Sequence, residues 1–450
     1  LTITDDEAIS FTAADIATSA DGAMDVHLAD MDGDGDLDIV SASIHDDTIA
    51  WYENNGAANP TFTAADIATS ADNANGIFVA DMDGDGDLDI VSASATDDTI
   101  AVYTNNGAAD PTFTASDIIT SFDTPIGLDV KDIDGDGDLD IGIAGNDGLN
   151  SASAADKVAW YASDGAANPS WTLIQSTTNT KNGVENVFIA DIDGDGDLDG
   201  VSASHNDDTI AWYENQGTLE NVPSNRIAQS GEDYSSVSGT LTFEPGETKA
   251  TIIIPISNDK SPENKEDFLL TLSNPVDATL SNAVATISIN ANDQIGFVHK
   301  DIVTNADGAH DVFTADIDND GDIDIVSASV NDDTIAWYEN NGAADPTFTK
   351  AVIATSADNA LDVQVADLDG DGDLDIVSAS SLDDTIAWYE NDGAANPTWA
   401  AADIATTADG ATSVFLVDLD SDGDIDILSS SYNDDTIAWY ENNGAANPTF

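Results

Sequence analysis

Ala29-Asp-Met-Asp-Gly-Asp-Gly-Asp-Leu-Asp-Ile-Val40 returns six more times along a chain of 450 residues, with small changes. The first aspartates of the copies are Asp30, Asp81, Asp132, Asp191, Asp316, Asp367 and Asp418, spaced 51, 51, 59, 125, 51 and 51 residues apart. The unit is therefore 51 residues long and is interrupted twice. Eight extra residues fall in the third copy, around Gly145–Lys157, and 74 fall between the fourth and the fifth. Periods of this length mark propellers, solenoids or arrays, in which each unit buries its apolar faces against its neighbours.

Each unit predicts four short strands. In the first unit these are Asp25–Met31, Leu37–Ser43, Thr48–Glu53 and Phe62–Ser70. They are rich in β-branched and aromatic residues and are bounded by Gly, Asn, Asp and Pro. No stretch keeps a helical period long enough for an amphipathic helix. The expected fold is all-β: a seven-bladed β-propeller, one blade per unit, with a small β-sandwich inserted in the fourth. The chain stops at Asn447-Pro-Thr-Phe450, where a fourth strand should begin, and the matching strand, Phe11–Ser19, stands at the other end. The N-terminal strand, 11–19, is expected to close the last blade and leave no unpaired ring edge.

The segment itself has the chemistry of a cation loop. Alternate aspartates put carboxylates at positions 1, 3, 5 and 9, position 7 offers a backbone carbonyl, and glycine at position 6 permits the turn that wraps oxygens around one ion. Calcium takes six to eight oxygens in flexible geometry, whereas magnesium gives up its water reluctantly and rarely occupies all-protein cages. The candidate ligands are Asp30, Asp32, Asp34, Asp36 and Asp38; Asp81, Asp83, Asp85, Asp87 and Asp89; Asp132, Asp134, Asp136, Asp138 and Asp140; Asp191, Asp193, Asp195, Asp197 and Asp199; Asp316, Asp318, Asp320, Asp322 and Asp324; Asp367, Asp369, Asp371, Asp373 and Asp375; and Asp418, Asp420, Asp422, Asp424 and Asp426. About seven Ca2+ ions are expected, one per blade. An EF-hand needs a carboxylate at position 12; here that position holds Ser41, Ser92, Ile143, Ser202, Ser327, Ser378 and Ser429. A strand follows in place of a helix, so this is a calcium loop in a β-hairpin. Without an ion, each close pair of carboxylates would repel by up to ~4 kcal/mol at an effective dielectric of 20.

Composition removes several function classes. With 88 acidic residues against 9 Lys and Arg, the net charge of −79 excludes the basic footprint that nucleic acid or an anionic membrane requires. No apolar run reaches the ~20 residues of a membrane-spanning helix. The absence of cysteine excludes disulfides, thiolate zinc sites and Cys nucleophiles.

These residues resemble the FG-GAP/VCBS repeat family, whose calcium loop reads Asp-x-Asp-x-Asp-Gly-x-x-Asp. The resemblance covers all seven units. It implies a calcium-stiffened extracellular propeller like the integrin α-chain head, a fold also found in bacterial surface proteins. The insert, Asn221–Gln294, resembles a Calx-β domain through Gly231-Glu-Asp-Tyr234, Ser238–Glu247, Glu263–Leu272 and Ala285–Asp293. The resemblance places Asp233, Asp259, Glu263, Glu266 and Asp293 at acidic positions of that family, either as ligands or as solvated surface acids. Leu1-Thr-Ile-Thr-Asp-Asp-Glu7 aligns without gaps to Ile287–Asp293. It is either the tail of a preceding Calx-β domain or a strand that completes the insert of a neighbouring molecule.

The expected organisation is 1–10, a terminal strand resembling the end of a Calx-β domain; 11–220, the first part of the propeller; 221–295, the insert; and 296–450, the remainder. Ala50-Trp-Tyr-Glu53 recurs at Ala211–Glu214, Ala336–Glu339, Ala387–Glu390 and Ala438–Glu441. Its aromatics are expected between packed blades, with a ligand platform as the alternative. His27, His45, His205, His299 and His310 show no metal-ligand spacing and are expected at the surface. Where the inner strand enters the channel the units differ: Asp25, Gly76, Gly127, Asn186, Asp311, Asp362 and Ser413. No nucleophile elbow, P-loop or dinucleotide fingerprint is present, and the chain is expected not to be an enzyme. The expected role is an extracellular or cell-surface calcium-binding structural or adhesion module, such as a fibre or matrix subunit, that self-associates or meets another surface protein or glycan. The alternatives are a lectin-like propeller binding glycan or protein and, further off, a polysaccharide-degrading enzyme.

Overall fold

The computed structural model describes residues 12–57, 59–120, 122–145, 157–166, 169–177, 183–215, 235–243, 250–255, 266–276, 278–281, 283–289 and 297–444. All their regular structure is β, in 30 strands. In the first repeat β2 (Ala23–Ala29), β3 (Asp38–Ser43), β4 (Thr48–Asn54) and β5 (Phe62–Ala68) form an antiparallel sheet in sequence order. The same order runs from β6 (Ala74–Ala80) to β9 (Phe113–Ile119), from β10 (Pro125–Lys131) to β13 (Thr172–Ser176), from β20 (Ala309–Ala315) to β23 (Phe348–Ala354) and from β24 (Ala360–Ala366) to β27 (Trp399–Ala405). The fourth sheet joins β14 (Val184–Ala190), β15 (Asp199–Ser204) and β16 (Thr209–Asn215) to β19 (Phe297–Val303). The seventh joins β28 (Ala411–Val417), β29 (Asp426–Ser431) and β30 (Thr436–Glu441) to β1 (Thr12–Ala17). These seven four-stranded sheets are the blades of a β-propeller, and the innermost strand of each lies beside that of the next all the way round.

Closure uses both chain ends. Thr12 pairs with Glu441 and Ala14 with Trp439, and Asp435 accepts Ala20 N through its carbonyl and Gly22 N through Oδ1, both at 3.1 Å. The latter contact repeats between blades. Asp47, Asp98, Asp208, Asp333 and Asp384, each the second acid of an Asp-Asp-Thr turn, accept a backbone N–H of the following blade at 3.0–3.2 Å. All six acids adopt positive φ, between 56° and 61°, which aspartate tolerates in tight turns. The recurrent Asp-Asp-Thr is thus a blade-to-blade staple.

Adjacent residues of a strand point to opposite faces, and both faces of a blade's middle strands are covered. Trp51 packs with Ala71, Ala74 and Ile77 of the second blade, while Tyr52 packs with Leu419, Leu428 and Trp439 of the seventh. The recurrent Trp-Tyr pair is core, as expected. One exception shows the packing constraint. The second blade has Val102 where others have Trp, and the facing small residue, Ala71 in its counterpart, becomes Phe122, which is fully buried beside Val102. The exchange conserves volume across the blade interface.

The first strand ends at Ala29, two residues before its expected end. There the ladder closes on the Ala29–Asp38 pair, and Met31 N turns to the Asp38 carboxylate at 3.1 Å. It also begins two residues early, across a register shift between Ala23 and Asp25 that recurs in the other inner strands.

By its contacts the chain divides into the propeller unit and a second unit, Asn215–Phe297 with Asp134–Asp136. In the second unit β17 (Glu266–Thr271) and β18 (Val284–Ile289) form a two-stranded antiparallel sheet. Residues 235–243 and 250–255 form no strand, and one hydrogen bond from Ser235 N to Pro255 O joins them. The terminal stretch 1–10, residues 146–156 of the third repeat, and Asp233, Asp259, Glu263 and Asp293 lie outside the described residues.

Candidate metal centres

Each aspartate loop is organised by its own backbone. In the first blade Asp30 Oδ1 accepts Gly33 N (2.8 Å) and Asp34 N (3.1 Å), its Oδ2 accepts Gly35 N (3.0 Å), and Asp32 Oδ1 accepts Asp34 N (3.1 Å). The bond from the sixth-position glycine to the first aspartate recurs in every blade, at 3.0–3.1 Å. That glycine has φ between 96° and 103°, a region closed to other residues, and it is glycine in all seven copies. At position 4 the φ is 58–74°, and Asn319 and Ser421 replace glycine there.

The ninth-position aspartate has two jobs. Asp38 is buried; its Oδ2 accepts Met31 N and its Oδ1 accepts Asn54 N at 2.8 Å, pinning the loop to strand β4. Asp89, Asp140, Asp324, Asp375 and Asp426 repeat both bonds. Even so, carboxylate oxygens of Asp30, Asp32 and Asp38 lie within 4.8 Å of one another, as do those of Asp81, Asp83 and Asp85, of Asp191, Asp193 and Asp199, and of Asp316, Asp318 and Asp320. Moreover, Oδ1 of Asp191, Asp318 and Asp367 is buried and accepts no hydrogen bond. Buried carboxylate oxygens without a donor are costly, and a divalent cation at the centre of the loop supplies what they lack. The residues therefore fit an oxygen-seeking cation.

Two further positions add to this picture. The seventh-position side chains, among them Asp36, Asp87, Asp138, Asp322, Asp373 and Asp424, turn away from the loop centre. Each lies against the glycine of the following Asn/Asp-Gly turn, where a Cβ on Gly56 or its counterparts would overlap the carboxylate. Only their main-chain carbonyls are left for an ion. Conversely, the glutamate of Ala-Trp-Tyr-Glu was not expected at the site. Glu214, Glu339 and Glu441 bring their charge beside Asp193, Asp318 and Asp420, and Glu390 lies near Asp369 and Asp371. Its signal was a fixed offset of 23 residues from the first loop aspartate in five repeats. Position 12 is occupied otherwise: the hydroxyl of Ser41 points into the blade, 3.5 Å from Tyr52 OH.

Burial pushes Asp324, Asp375 and Asp426 up to about 7 and Asp38 and Asp89 to about 6, and neighbouring loop aspartates add like charge. Because these folded values exceed the ~3.9 of an unfolded aspartate, the folded chain holds the protons more tightly. Metal-free protein should therefore lose stability as pH rises from about 4 to about 7, with little further change above that. In chelator the melting temperature should be higher at pH 5.5 than at pH 8, and in millimolar calcium the order should reverse, since ions and protons compete for the same oxygens. A chelated chain that melts higher at pH 8 would contradict this.

The asymmetric ring positions, Asp25, Gly76, Gly127, Asn186, Asp311, Asp362 and Ser413, all line a central cavity of about 410 Å³. His27 also lines it, so His27 is no surface residue: its ring lies 5.1 Å from that of Phe78 and 4.7 Å from that of Phe415. The outer rings of His45 and Tyr432 meet instead at the turns, where His45 Nε2 is 2.8 Å from the tyrosine hydroxyl.

The FG-GAP-like repeat family matches residues 30–92, 83–143, 316–378 and 367–429, just over half of the chain, and the Calx-beta domain family matches 220–293. No curated protein sequence matches the chain. Among solved structures, BBS1N in complex with ARL6DN, soaked with lead, is 9% identical over 98% of this chain and 99% of that one, with a TM-score of 0.51. An Agrocybe aegerita lectin, studied for specific recognition of non-reducing terminal N-acetylglucosamine, is 16% identical over 86% of this chain and 81% of that one, with a TM-score of 0.44. A protein from Lactobacillus plantarum is 14% identical over 86% and 85%, with a TM-score of 0.47. At such identities the likeness is one of fold alone. No helix among the described residues is long and apolar enough to cross a membrane. With its loops, its seven blades and its matched repeats, the chain belongs to the FG-GAP-like repeat family and carries a Calx-beta domain within its fourth repeat.

Proposed function

We propose that the chain is an extracellular, non-catalytic structural and adhesion module whose blades are stiffened by about seven Ca2+ ions. The observation that carries the metal is the set of buried loop oxygens without donors, held by preformed backbone bonds. Hard carboxylate and carbonyl oxygens on a flexible loop favour calcium over magnesium. In an extracellular setting calcium modules work at weak affinities, ~10⁻⁴–10⁻³ M. FG-GAP-like repeats and Calx-beta domains support a surface or secreted setting. In this reading the propeller is a rigid spacer that self-associates or holds another surface protein or glycan, as part of a fibre or matrix.

A second reading, a lectin-like propeller that binds glycan or protein as a monomer, is favoured by the asymmetric central cavity. One experiment addresses both. Calorimetric titration should take up about seven calcium ions per chain, and light scattering in millimolar calcium should show large species absent in chelator. A single 46.6 kDa species in calcium would favour the second reading. No calcium uptake would overturn the metal assignment.

A further inference from the structure

The wall of the central channel is not seven-fold. At the ring of bulged positions, five consecutive blades present Asn186, Asp311, Asp362, Ser413 and Asp25, and the remaining two present Gly76 and Gly127. A Cβ on either glycine would strike a carbonyl of the next inner strand, Ile126 O at 2.5 Å or Glu185 O at 2.7 Å. The strands close up on that side, and the polar arc faces the cavity from the other. Bulges commonly re-aim a side chain in this way beside a functional site.

The three acids of the arc are held in place. Asp25 Oδ2 accepts Ile77 N (2.9 Å), Asp311 Oδ2 accepts Val363 N (3.0 Å), and Asp362 Oδ2 accepts Val414 N (2.7 Å), each from the next blade. Asn186 donates to Asp311, and Ser413 donates to Asp25 at 3.3 Å. Among the described residues none of the three has an ion-pair partner. Enclosure raises Asp25 to about 7 and Asp311 well above its ordinary value, and in both the charge of Asp362 adds to the rise. The two raised acids of the arc therefore hold protons that a cation beside them would displace; Lys131, whose Nζ lies 6.0 Å from the centre of the Phe78 ring, stands on the glycine side of the channel.

Two residues along, the same strands present Phe78, Phe188, Phe313 and Phe415, with His27 between two of them and Phe188 and Phe313 in contact at 4.9 Å, while the remaining two present Asp129 and Gln364. His27 Nδ1 is buried and has no hydrogen-bond partner, although its ring lines the cavity. Burial lowers His27 to about 4, so it is neutral at pH 7. As a neutral ring, His27 adds to the apolar part of the cavity wall.

Carboxylates beside aromatic rings select a particular chemistry. A bare or hydrated metal ion would make no use of the phenylalanine rings. A neutral sugar can donate hydroxyls to the carboxylates but brings no positive charge. A primary ammonium group donates three hydrogen bonds and carries a positive charge attracted by ring faces, and its carbon chain packs against them. The cavity volume, about 410 Å³, lies in the range of small-molecule sites. We propose that the central channel binds a small primary alkylammonium compound, with its head against Asp25, Asp311 and Asp362 and its hydrocarbon on the Phe188, Phe313 and Phe415 rings.

This inference stands apart from the calcium loops and goes beyond the proposed structural role. The test is calorimetric titration of the full chain, in millimolar calcium at pH 8, with n-pentylammonium, choline and n-pentanol. One n-pentylammonium should bind per chain. Choline, which cannot donate, and n-pentanol, which has no charge, should each bind at least tenfold more weakly. Asp362→Asn should weaken n-pentylammonium at least tenfold without lowering the melting temperature, because it removes like-charge repulsion; Asp25→Asn should repeat the result. Phe313→Leu should weaken it several-fold. Equal binding of n-pentanol would reduce the channel to an apolar cavity. Unchanged affinity in both aspartate variants, or no saturable heat with n-pentylammonium, would overturn the proposal while leaving calcium uptake by the loops untouched.

Discussion

Stripping calcium from the folded chain should lower its melting temperature by on the order of 20 °C. An ion present at 100 times its dissociation constant stabilises the state that binds it by about 2.7 kcal/mol. Ten millimolar calcium meets that condition for sites of ~0.1 mM affinity. Seven such sites contribute roughly 19 kcal/mol, and unfolding entropy for a chain of this length is about 0.9 kcal/mol/K at ~2.1 cal/mol/K per residue. The loss should also be cooperative around the ring. The loops are tied to one another, since Asn105 Nδ2 donates to Met31 O in the loop of the preceding blade at 2.8 Å, and Asn340, Asn391 and Asn442 do the same to Ile192, Ile317 and Leu368. Scanning calorimetry in 10 mM calcium and in chelator measures the shift. The control is molar sodium chloride in chelator, which screens the −79 net charge without filling a site. If salt alone restored the melting temperature as fully as calcium, the loops would be acidic turns and the ions dispensable.

The blades and the loops were legible in the sequence for different reasons. A 51-residue period fixes the number of units, and short β-branched and aromatic runs bounded by Gly, Asn, Asp and Pro mark the strands in each. The Trp-Tyr pair belongs to such a run: neighbouring residues on one strand point to opposite blade interfaces, and both are buried. The loop was legible because carboxylates at alternate positions around an obligatory glycine have few other uses. Contacts between repeats were harder to see. Nothing within the fifty-one residues says that Asp47 reaches the next blade, that the seventh-position acid packs on a glycine twenty residues later, or that the glutamate after Trp-Tyr faces the metal loop. Those relations depend on how sheets stack, which a one-dimensional pattern records only as spacing. His27 was misplaced for the same reason: its strand looks like the other inner strands, and only ring closure puts Phe415, from the far end of the chain, against it.

The clearest separation of metal ligand from structural clamp should come from two aspartates of one loop. Asp324→Ala is expected to destabilise the chain by roughly 3–6 kcal/mol in calcium, and Asp320→Ala by at most about 3 kcal/mol. Asp324 is fully buried and its oxygens accept Ile317 N at 3.2 Å and Asn340 N at 2.7 Å. Its removal leaves two buried N–H groups without acceptors, at about 1–3 kcal/mol each, and also disables the ion site. Asp320 is exposed; its Oδ1 accepts only the neighbouring Asp322 N at 3.0 Å, and its remaining use is as a ligand beside Asp316 and Asp318. Chelator should therefore erase the difference between Asp320→Ala and the parent chain but leave Asp324→Ala destabilised, as read by urea unfolding under both conditions. Each variant should also bind about one calcium fewer. If Asp320→Ala remained equally destabilised in chelator, its carboxylate would be organising the turn and not the ion. If Asp324→Ala recovered in chelator, the buried clamp would contribute nothing of its own. The two readings are separable because position 9 faces the strand and position 5 faces solvent on a loop only nine residues long, so one substitution tests the hairpin and the other tests the cation.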